Sequence, residues 1–211
     1  RSSDLDVAPF LFGGLADPPE PDLATLGFLL PNEPSIVALE TLGQTQRISI
    51  SAGTDAHENV LPNDAPDGER IDSYRRMIRW FNNRIRLSEP LTPQSAKEAL
   101  RAGNNHIVIE SFGLPIGFDL HAVAGETFTE MGAEVAMSGD LKIVATLPRL
   151  DPRSPQGSTA PVIEGRLIRA SMNGRETLET WTEGSVEVAA DVPGVYRVEV
   201  WITPRHLTPY L

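Results

Sequence analysis

The chain has 211 residues, of which 40% are hydrophobic and 22% charged, a composition typical of one or two globular domains. Its 29 acidic and 18 basic residues give a net charge of −11, which argues against a nucleic-acid-binding surface and against docking on anionic lipid. Because there is no cysteine, disulfides, thiolate zinc sites and cysteine nucleophiles are excluded.

The N-terminal half is predicted to mix helices with a short strand. Prolines predict an extended loop over 13–34, and Ser35 is a suitable N-cap for a helix that runs to Leu42 and closes at Gly43. Alternating isoleucines predict a strand over 47–52. The strongest predicted helix covers 71–86, and a further helix follows Thr92 and stops at Gly103. The apolar residues of the 71–86 segment recur every three or four positions: Tyr74, Met77, Ile78, Phe81 and Ile85.

The C-terminal half is predicted to be all β. Strands are expected over 107–111, 118–123, 133–137, 141–147, 163–171, 185–189 and 196–202, with the turn signals SGD, MNGR and DVPG between some of them. Closely spaced strands with no long helix between them favour an Ig-like β-sandwich. The change of pattern predicts two domains, residues 1–112 and residues 113–211.

The motif that carries chemistry is GTDAHEN, directly after the predicted strand over 47–52. In extended backbone, Asp55 and His57 would point to the same side, so that both could ligate one ion. A carboxylate and an imidazole suit zinc, manganese or iron. The alternative is an ordinary polar loop, since short motifs of this kind arise by chance. The two residues also supply fewer ligands than a metal needs, and the other histidines fall in or beside the β-rich part: His106, His121 and His206.

Charged neighbours of the motif allow two interpretations each. Glu58 and Asn59 could orient His57 or a substrate, or could simply cap the next turn, which is the favoured interpretation. A phosphate could contact Arg75, Arg76 and Arg79, although such a face more often pairs with nearby carboxylates.

The order of strand, GTDAHEN, polar loop, amphipathic helix and strand resembles the closing stretch of the PHP (polymerase and histidinol phosphatase) superfamily. The nearest likeness is to PHP-type metallohydrolases with a C-terminal β-sandwich. There, LTPQSAKEALRAGNNHIVIESFG has a typical counterpart, and SGDLKIVATL and DVPGVYRVEVWI look like sandwich strands. The resemblance covers roughly residues 36–204.

This resemblance implies a fold and an activity. Residues 1–112 would supply the last elements of a distorted (β/α)7 barrel, and Asp55 and His57 would match the family's last ligand motif. Members hydrolyse phosphoesters or related bonds with two or three divalent metal ions. The family's early His-X-His motif is missing here, so we expect the C-terminal portion of such an enzyme, inactive by itself, with the N-terminal remainder of the same polypeptide as its partner and a small-molecule phosphoester as substrate.

A second hypothesis treats the chain as a non-catalytic module whose Ig-like sandwich binds carbohydrate or protein. An exposed aromatic strip around Trp181 or Trp201 would favour it, as would an Asp55 and a His57 that face away from each other. No run of about 18 apolar residues occurs, so no membrane span is expected. We expect a soluble protein, and the sequence does not indicate its compartment.

Overall fold

The computed structural model describes residues 20–23, 30–59, 64–151 and 159–210. Within them strands outnumber α-helices eleven to three, so this part of the chain is mostly β. The helices are α1 (Glu33–Leu42), α2 (Tyr74–Ile78) and α3 (Pro93–Arg101), and a short 3-10 helix spans Arg205–Tyr210. The strands are β1 (Phe81–Ile85), β2 (Asn105–Ile109), β3 (Leu114–Ile116), β4 (Asp119–Ala124), β5 (Thr127–Glu130), β6 (Lys142–Thr146), β7 (Arg149–Asp151), β8 (Val162–Ser171), β9 (Gly174–Trp181), β10 (Ser185–Ala189) and β11 (Val195–Thr203). None of the helices among the described residues has the length and apolar character needed to cross a membrane.

Two antiparallel sheets dominate the C-terminal half. One has the strand order β10-β6-β4-β5 and the other the order β11-β8-β9. Side chains from both sheets meet in one hydrophobic core, so the arrangement is sandwich-like. Smaller two-stranded sheets are formed by β1 with β2 and by β3 with β7.

The core of the sandwich is built around Leu167 in β8 and Trp181 in β9. Leu167 is fully buried, and the indole of Trp181 lies against Gly165, where any added Cβ would come within 2.7 Å of the ring. Tyr196 closes one corner, because its hydroxyl donates a 2.6 Å hydrogen bond to the carbonyl oxygen of Val192. The remaining buried members of the cluster are Ala122, Leu141, Ile143, Ala145 and Ala190.

Helix α3 confirms its sequence prediction. Thr92 is the N-cap, its hydroxyl accepts from the Ser95 amide, and the Ser95 hydroxyl accepts in return from the Thr92 amide. Gly103 follows with a φ of +71°, the left-handed conformation that ends helices. Helix α1 is also confirmed, although it begins three residues earlier than expected with Asn32 as its N-cap.

The helix predicted over 71–86 is wrong for most of its length. Only α2 forms, with the Ser73 side chain accepting from the Arg76 amide, and the chain then turns into β1. A spacing of four between Phe81 and Ile85 fits one face of a strand as well as one face of a helix. Asn82 and Asn83 are poor helix formers, and pairing with β2 satisfies the backbone of this segment.

Two predicted strands are absent from the described residues. No strand forms over 47–52, where side chains rather than a β-ladder bind the extended backbone, and none forms over 133–137. The other six lie within two residues of their predicted bounds at each end. No barrel is seen among the described residues, in which β1 and β2 are antiparallel. The loop predicted over 13–34 lies largely outside the described residues.

Candidate metal centre

The segment that leads into the motif is fixed at its start to the end of α3. The Arg47 guanidinium donates to the carbonyl oxygens of Ala102 at 2.5 Å and Gly132 at 2.9 Å, and the Ser49 hydroxyl donates to the Leu100 carbonyl oxygen. The carbonyls at a helix C-terminus have no partner inside the helix, so they are available to such donors.

Two asparagines of the β1–β2 ribbon hold the next stretch. Asn105 donates its amide to the Ile50 carbonyl oxygen at 2.7 Å. Asn83 binds both backbone groups of Ala52, accepting from its N–H at 3.0 Å and donating to its C=O at 2.8 Å. These asparagines were not identified from the sequence. For Asn83, the available signal was its position next to Asn82 inside a segment predicted to be helical, where asparagine is unfavourable.

Asp55 adopts a left-handed backbone conformation, with a φ of +52°, which no other described non-glycine residue shares. The extended backbone assumed from the sequence is therefore wrong at this position. Left-handed backbone is sparsely populated outside glycine, although aspartate tolerates it better than most residues. Such conformations occur preferentially at functional sites.

Asp55 and His57 nevertheless converge, with Oδ2 of Asp55 3.4 Å from Nε2 of His57. For zinc bonds of about 2.0–2.2 Å to nitrogen and oxygen, two neighbouring ligand atoms of a tetrahedral shell lie about 3.3–3.5 Å apart. The two atoms are also reachable from outside, since the Asp55 side chain is 95% exposed and that of His57 43% exposed. Their spacing thus fits one edge of a zinc coordination shell.

Asn59 fixes the imidazole of His57. Its Oδ1 lies 2.7 Å from Nδ1, and its backbone N–H donates to the His57 carbonyl oxygen at 2.7 Å. With the Asn59 oxygen accepting from Nδ1, a neutral ring carries its lone pair on Nε2, toward Asp55, and a protonated ring presents an N–H there. The hydrogen bond to Asn59, followed by that to Asp55, raises the pKa of His57. Of the two interpretations of Asn59, the structure shows the one in which it orients His57.

Glu58 has a different role. Its Oε1 accepts a 2.9 Å hydrogen bond from the backbone N–H of Tyr74, the first residue of α2. A carboxylate at a helix N-terminus satisfies a free N–H and interacts favourably with the helix dipole. Glu58 therefore anchors the far end of the loop, in agreement with the favoured capping interpretation.

A balanced ion network, here called the arginine cluster, contains three arginines of the 71–86 segment, Arg75, Arg76 and Arg79. Asp22 accepts from the guanidinium groups of Arg75, Arg76 and Arg79 at 2.6–2.9 Å, and Arg76 is buried. Pairing with carboxylates is thus what the structure shows, and these arginines are already engaged. The cluster consists of Arg70, Arg75, Arg76 and Arg79 with Asp22, Asp67, Glu69 and Asp72.

The other three histidines have partners of their own. His121 Nδ1 lies 2.7 Å from the Asp119 carboxylate, and His206 Nε2 lies 2.7 Å from the Phe112 carbonyl oxygen. The ring of His106 lies 4.8 Å from that of Phe118, tilted by 51°, and burial lowers the pKa of His106. The described ranges contain no group of three or more metal-binding side chains, so among them Asp55 and His57 supply two ligands of the candidate site.

No family model, no curated protein and no solved structure matches this chain. What can be said of its function therefore depends on the geometry of the site itself and on the sequence resemblance.

Proposed function

We propose that this chain is the C-terminal portion of a PHP-type metal-dependent hydrolase that acts on phosphoesters, with Asp55 and His57 as metal ligands. The observation that carries the proposal is the 3.4 Å separation of Asp55 Oδ2 and His57 Nε2, with Nδ1 of the same ring bound by Asn59. Metal-binding histidines nearly always donate their second ring N–H in this way.

The electrostatics of the pair support a cation between the two side chains. A neutral imidazole with its lone pair facing a carboxylate oxygen is repulsive, and the arrangement becomes favourable when a proton or a metal ion lies between them. The raised pKa of His57 expresses the same preference for positive charge. Oxygen and nitrogen donors suit zinc, manganese or iron, and such an ion, when bound, supplies a Lewis acid that lowers the pKa of water.

A catalytic zinc ion usually takes three protein ligands and keeps one open position. The described residues supply two, so we propose that the remaining ligands come from the N-terminal remainder of the same polypeptide, which would complete the barrel. On this proposal the 211-residue chain binds metal weakly and does not turn over substrate by itself.

The test is metal content and phosphodiester hydrolysis of the full-length protein, with His57→Ala and Asp55→Ala as variants. The expected result is loss of bound metal and a fall in bis-p-nitrophenyl phosphate turnover larger than the roughly 10–100-fold typical of outer-shell changes. His121→Ala is the control, because that histidine pairs with Asp119. Unchanged metal stoichiometry in His57→Ala would overturn the assignment.

The alternative function is a binding module built on the sandwich. We propose that this sandwich is Ig-like: adjacent β4, β6 and β10 match strands A, B and E, while β8 and β11 match C and F. The Tyr196 hydrogen bond lies at the corner between β10 and β11, as in the tyrosine corner of such domains.

The aromatic residues do not favour carbohydrate binding. Trp181 is buried, and the guanidinium of Arg166 lies 4.7 Å from the centre of the exposed Trp201 ring. Of the two tryptophans around which the binding hypothesis places an exposed strip, Trp181 is thus unavailable and Trp201 is 43% exposed, whereas Asp55 and His57 face each other. A glycan array probed with the whole chain tests the alternative, and binding that is lost in Trp201→Ala would favour it over the hydrolase.

A further inference from the structure

The loop that carries Asp55 and His57 is held by hydrogen bonds at both ends, here called its two anchors. Before it, Ala52 is bound by the Asn83 side chain, and after it Glu58 is bound by the backbone N–H of Tyr74. The intervening residues begin with Gly53, where an added Cβ would meet no described atom within 4 Å apart from those of its chain neighbours. The two anchors therefore set where the loop can place its side chains.

The side chain of Asn83 forms the two hydrogen bonds to Ala52 that a neighbouring β-strand would form. Its carboxamide presents one acceptor and one donor to the N–H and C=O of Ala52, at 3.0 and 2.8 Å, just as a peptide group would. Such a pair fixes both the position and the rotation of the Ala52 peptide, because displacing either atom lengthens one bond. Asn83 is itself paired with Ile107 of β2, so the position of the β1–β2 ribbon determines where Ala52 is held.

We propose that Asn83 is a positioning residue for the candidate metal centre: by clamping Ala52 it holds Asp55 and His57 at the separation that one cation requires. The inference rests on the proposed function for its metal, and it assigns to β1 a role beyond packing. Asn83 acts through the Ala52 backbone.

The test compares Asn83→Ala and the isosteric Asn83→Asp with Asn82→Ala, in which the altered side chain lies on the opposite side of the same strand. Three quantities are measured on the full-length protein: hydrogen exchange of the Ala52 amide, nuclear Overhauser contacts between the side chains of Asp55 and His57, and binding of Zn²⁺ and Co²⁺, the second read from its visible absorption. Thermal unfolding of each variant is recorded as a check on folding.

In both Asn83 variants we expect the Overhauser contacts between Asp55 and His57 to weaken and Zn²⁺ affinity to fall by about tenfold. In Asn83→Ala the Ala52 amide should also exchange faster, whereas Asn83→Asp retains the acceptor for it. The Co²⁺ spectrum should change, because ligand geometry changes. Asn82→Ala should alter none of these quantities.

The outcomes separate the two proposals. If the full-length protein binds Zn²⁺ through His57 and Asn83→Ala leaves affinity, Co²⁺ spectrum and the Asp55–His57 contact unchanged, positioning by Asn83 is refuted and the proposed function stands. If the full-length protein binds neither ion but the Asp55–His57 contact weakens in Asn83→Ala, the clamp is supported and the metal assignment is refuted. A lower melting temperature without any change at His57 would make Asn83 merely structural and would also overturn the inference.

Discussion

At the scale of single residues, the environment of His57 determines what it can do. Asn59 Oδ1 binds Nδ1 of the ring, and the Asp55 carboxylate lies beside Nε2, although all three residues are solvent-accessible. The hydrogen bond to Asn59 is the largest cause of the raised pKa of His57, ahead of the hydrogen bond to Asp55. Orientation of the imidazole thus depends on a residue only two positions away.

Replacing Asn59 with alanine should lower the pKa of His57 toward 6.5, because the acceptor that stabilises the Nδ1 proton is lost. Asp55→Asn should lower it as well, by less. NMR titration of the imidazole measures both shifts. An unaltered His57 titration in Asn59→Ala would show that the hydrogen bond does not persist in solution.

The sequence was informative about Asp55 and His57 only as a pair of suitable donors. Their convergence depends on the left-handed backbone at Asp55 and on anchors contributed by β1 and α2. A two-residue spacing carries no information about such a turn, because the backbone conformation is stabilised by contacts remote in the chain.

At the scale of elements, helices α1 and α2 bury charge and expose apolar side chains. Glu40 of α1 and Arg76 of α2 are buried, while Val37 and Leu42 on the first helix and Ile78 on the second are about half exposed. Apolar periodicity alone would assign the opposite faces to the interior. The reason is that each buried charge meets oppositely charged groups of another element.

Glu40 attaches α1 to the outer side of the three-stranded sheet. Its Oε2 accepts from Arg175 of β9 at 2.8 Å, and its Oε1 accepts from Arg197 of β11 at 2.7 Å. The carboxylate is only 8% exposed, so its removal would take a buried partner from both guanidinium groups, which would keep Glu33 at Arg175 and Glu199 at Arg197. This contact joins the helix that precedes the candidate loop to the sandwich.

Glu40→Ala should therefore destabilise the protein by about 3 kcal/mol, the cost typical of breaking a buried ion pair. Glu33→Ala is a matched control on the same helix: Glu33 contacts the same Arg175 at 3.3 Å but is 59% exposed, so its loss should cost no more than about 1 kcal/mol. Urea unfolding of the two variants measures the difference. Equal effects would show that burial of Glu40 contributes nothing.

At the scale of the whole molecule, stability is concentrated in the sandwich. The main hydrophobic cluster draws on both large sheets, with Leu167 at 0% exposure. The N-terminal part relies more on polar contacts, among them the arginine cluster and the side-chain bonds to residues 47–52. The two parts should therefore respond differently to core mutations and to acid.

Leu167→Ala should destabilise the protein by about 2–5 kcal/mol, since it removes a fully buried side chain and leaves a cavity. Leu91→Ala makes the same chemical change at a side chain that is 74% exposed and should stay within about 0.5 kcal/mol of the parent. Chemical denaturation followed by tryptophan fluorescence reports on both, as Trp181 packs in the same cluster. A small loss in Leu167→Ala would contradict a single well-packed core.

Acid should weaken the arginine cluster. The hydrogen bond from Arg75, aided by that from Ser73, lowers the pKa of Glu69 from 4.5 to about 2. A carboxyl group with a lowered pKa in the folded state contributes stability that is complete above pH 4.5 and is lost as the pH falls toward 2. Glu69→Gln should therefore make the free energy of unfolding depend less on pH within that range, while its slope against pH above about pH 5 stays unchanged.

A melting-temperature series from about pH 6 to pH 2 on the parent and Glu69→Gln measures this difference. Glu183→Gln serves as the control, because Glu183 lies in the turn between β9 and β10 and is exposed. Parallel curves for the parent and Glu69→Gln would show that the ion pair adds nothing to folding.

The sequence by itself determined most of the sandwich strands and helix α3. Alternation of apolar residues, turn dipeptides and the Thr92 cap are local signals, and these elements also satisfy most of their backbone groups locally or with neighbouring strands. It also determined which residues are chemically able to bind a cation.

Only the tertiary structure decided that residues 81–85 form a strand, that residues 47–52 are held by side chains, and that Asp55 and His57 face each other at 3.4 Å. The physical reason is the same in each case. A spacing of four suits a helix and a strand alike, and the choice between them is made by partners such as β2 and Asn83, whose proximity is established only when the chain has folded.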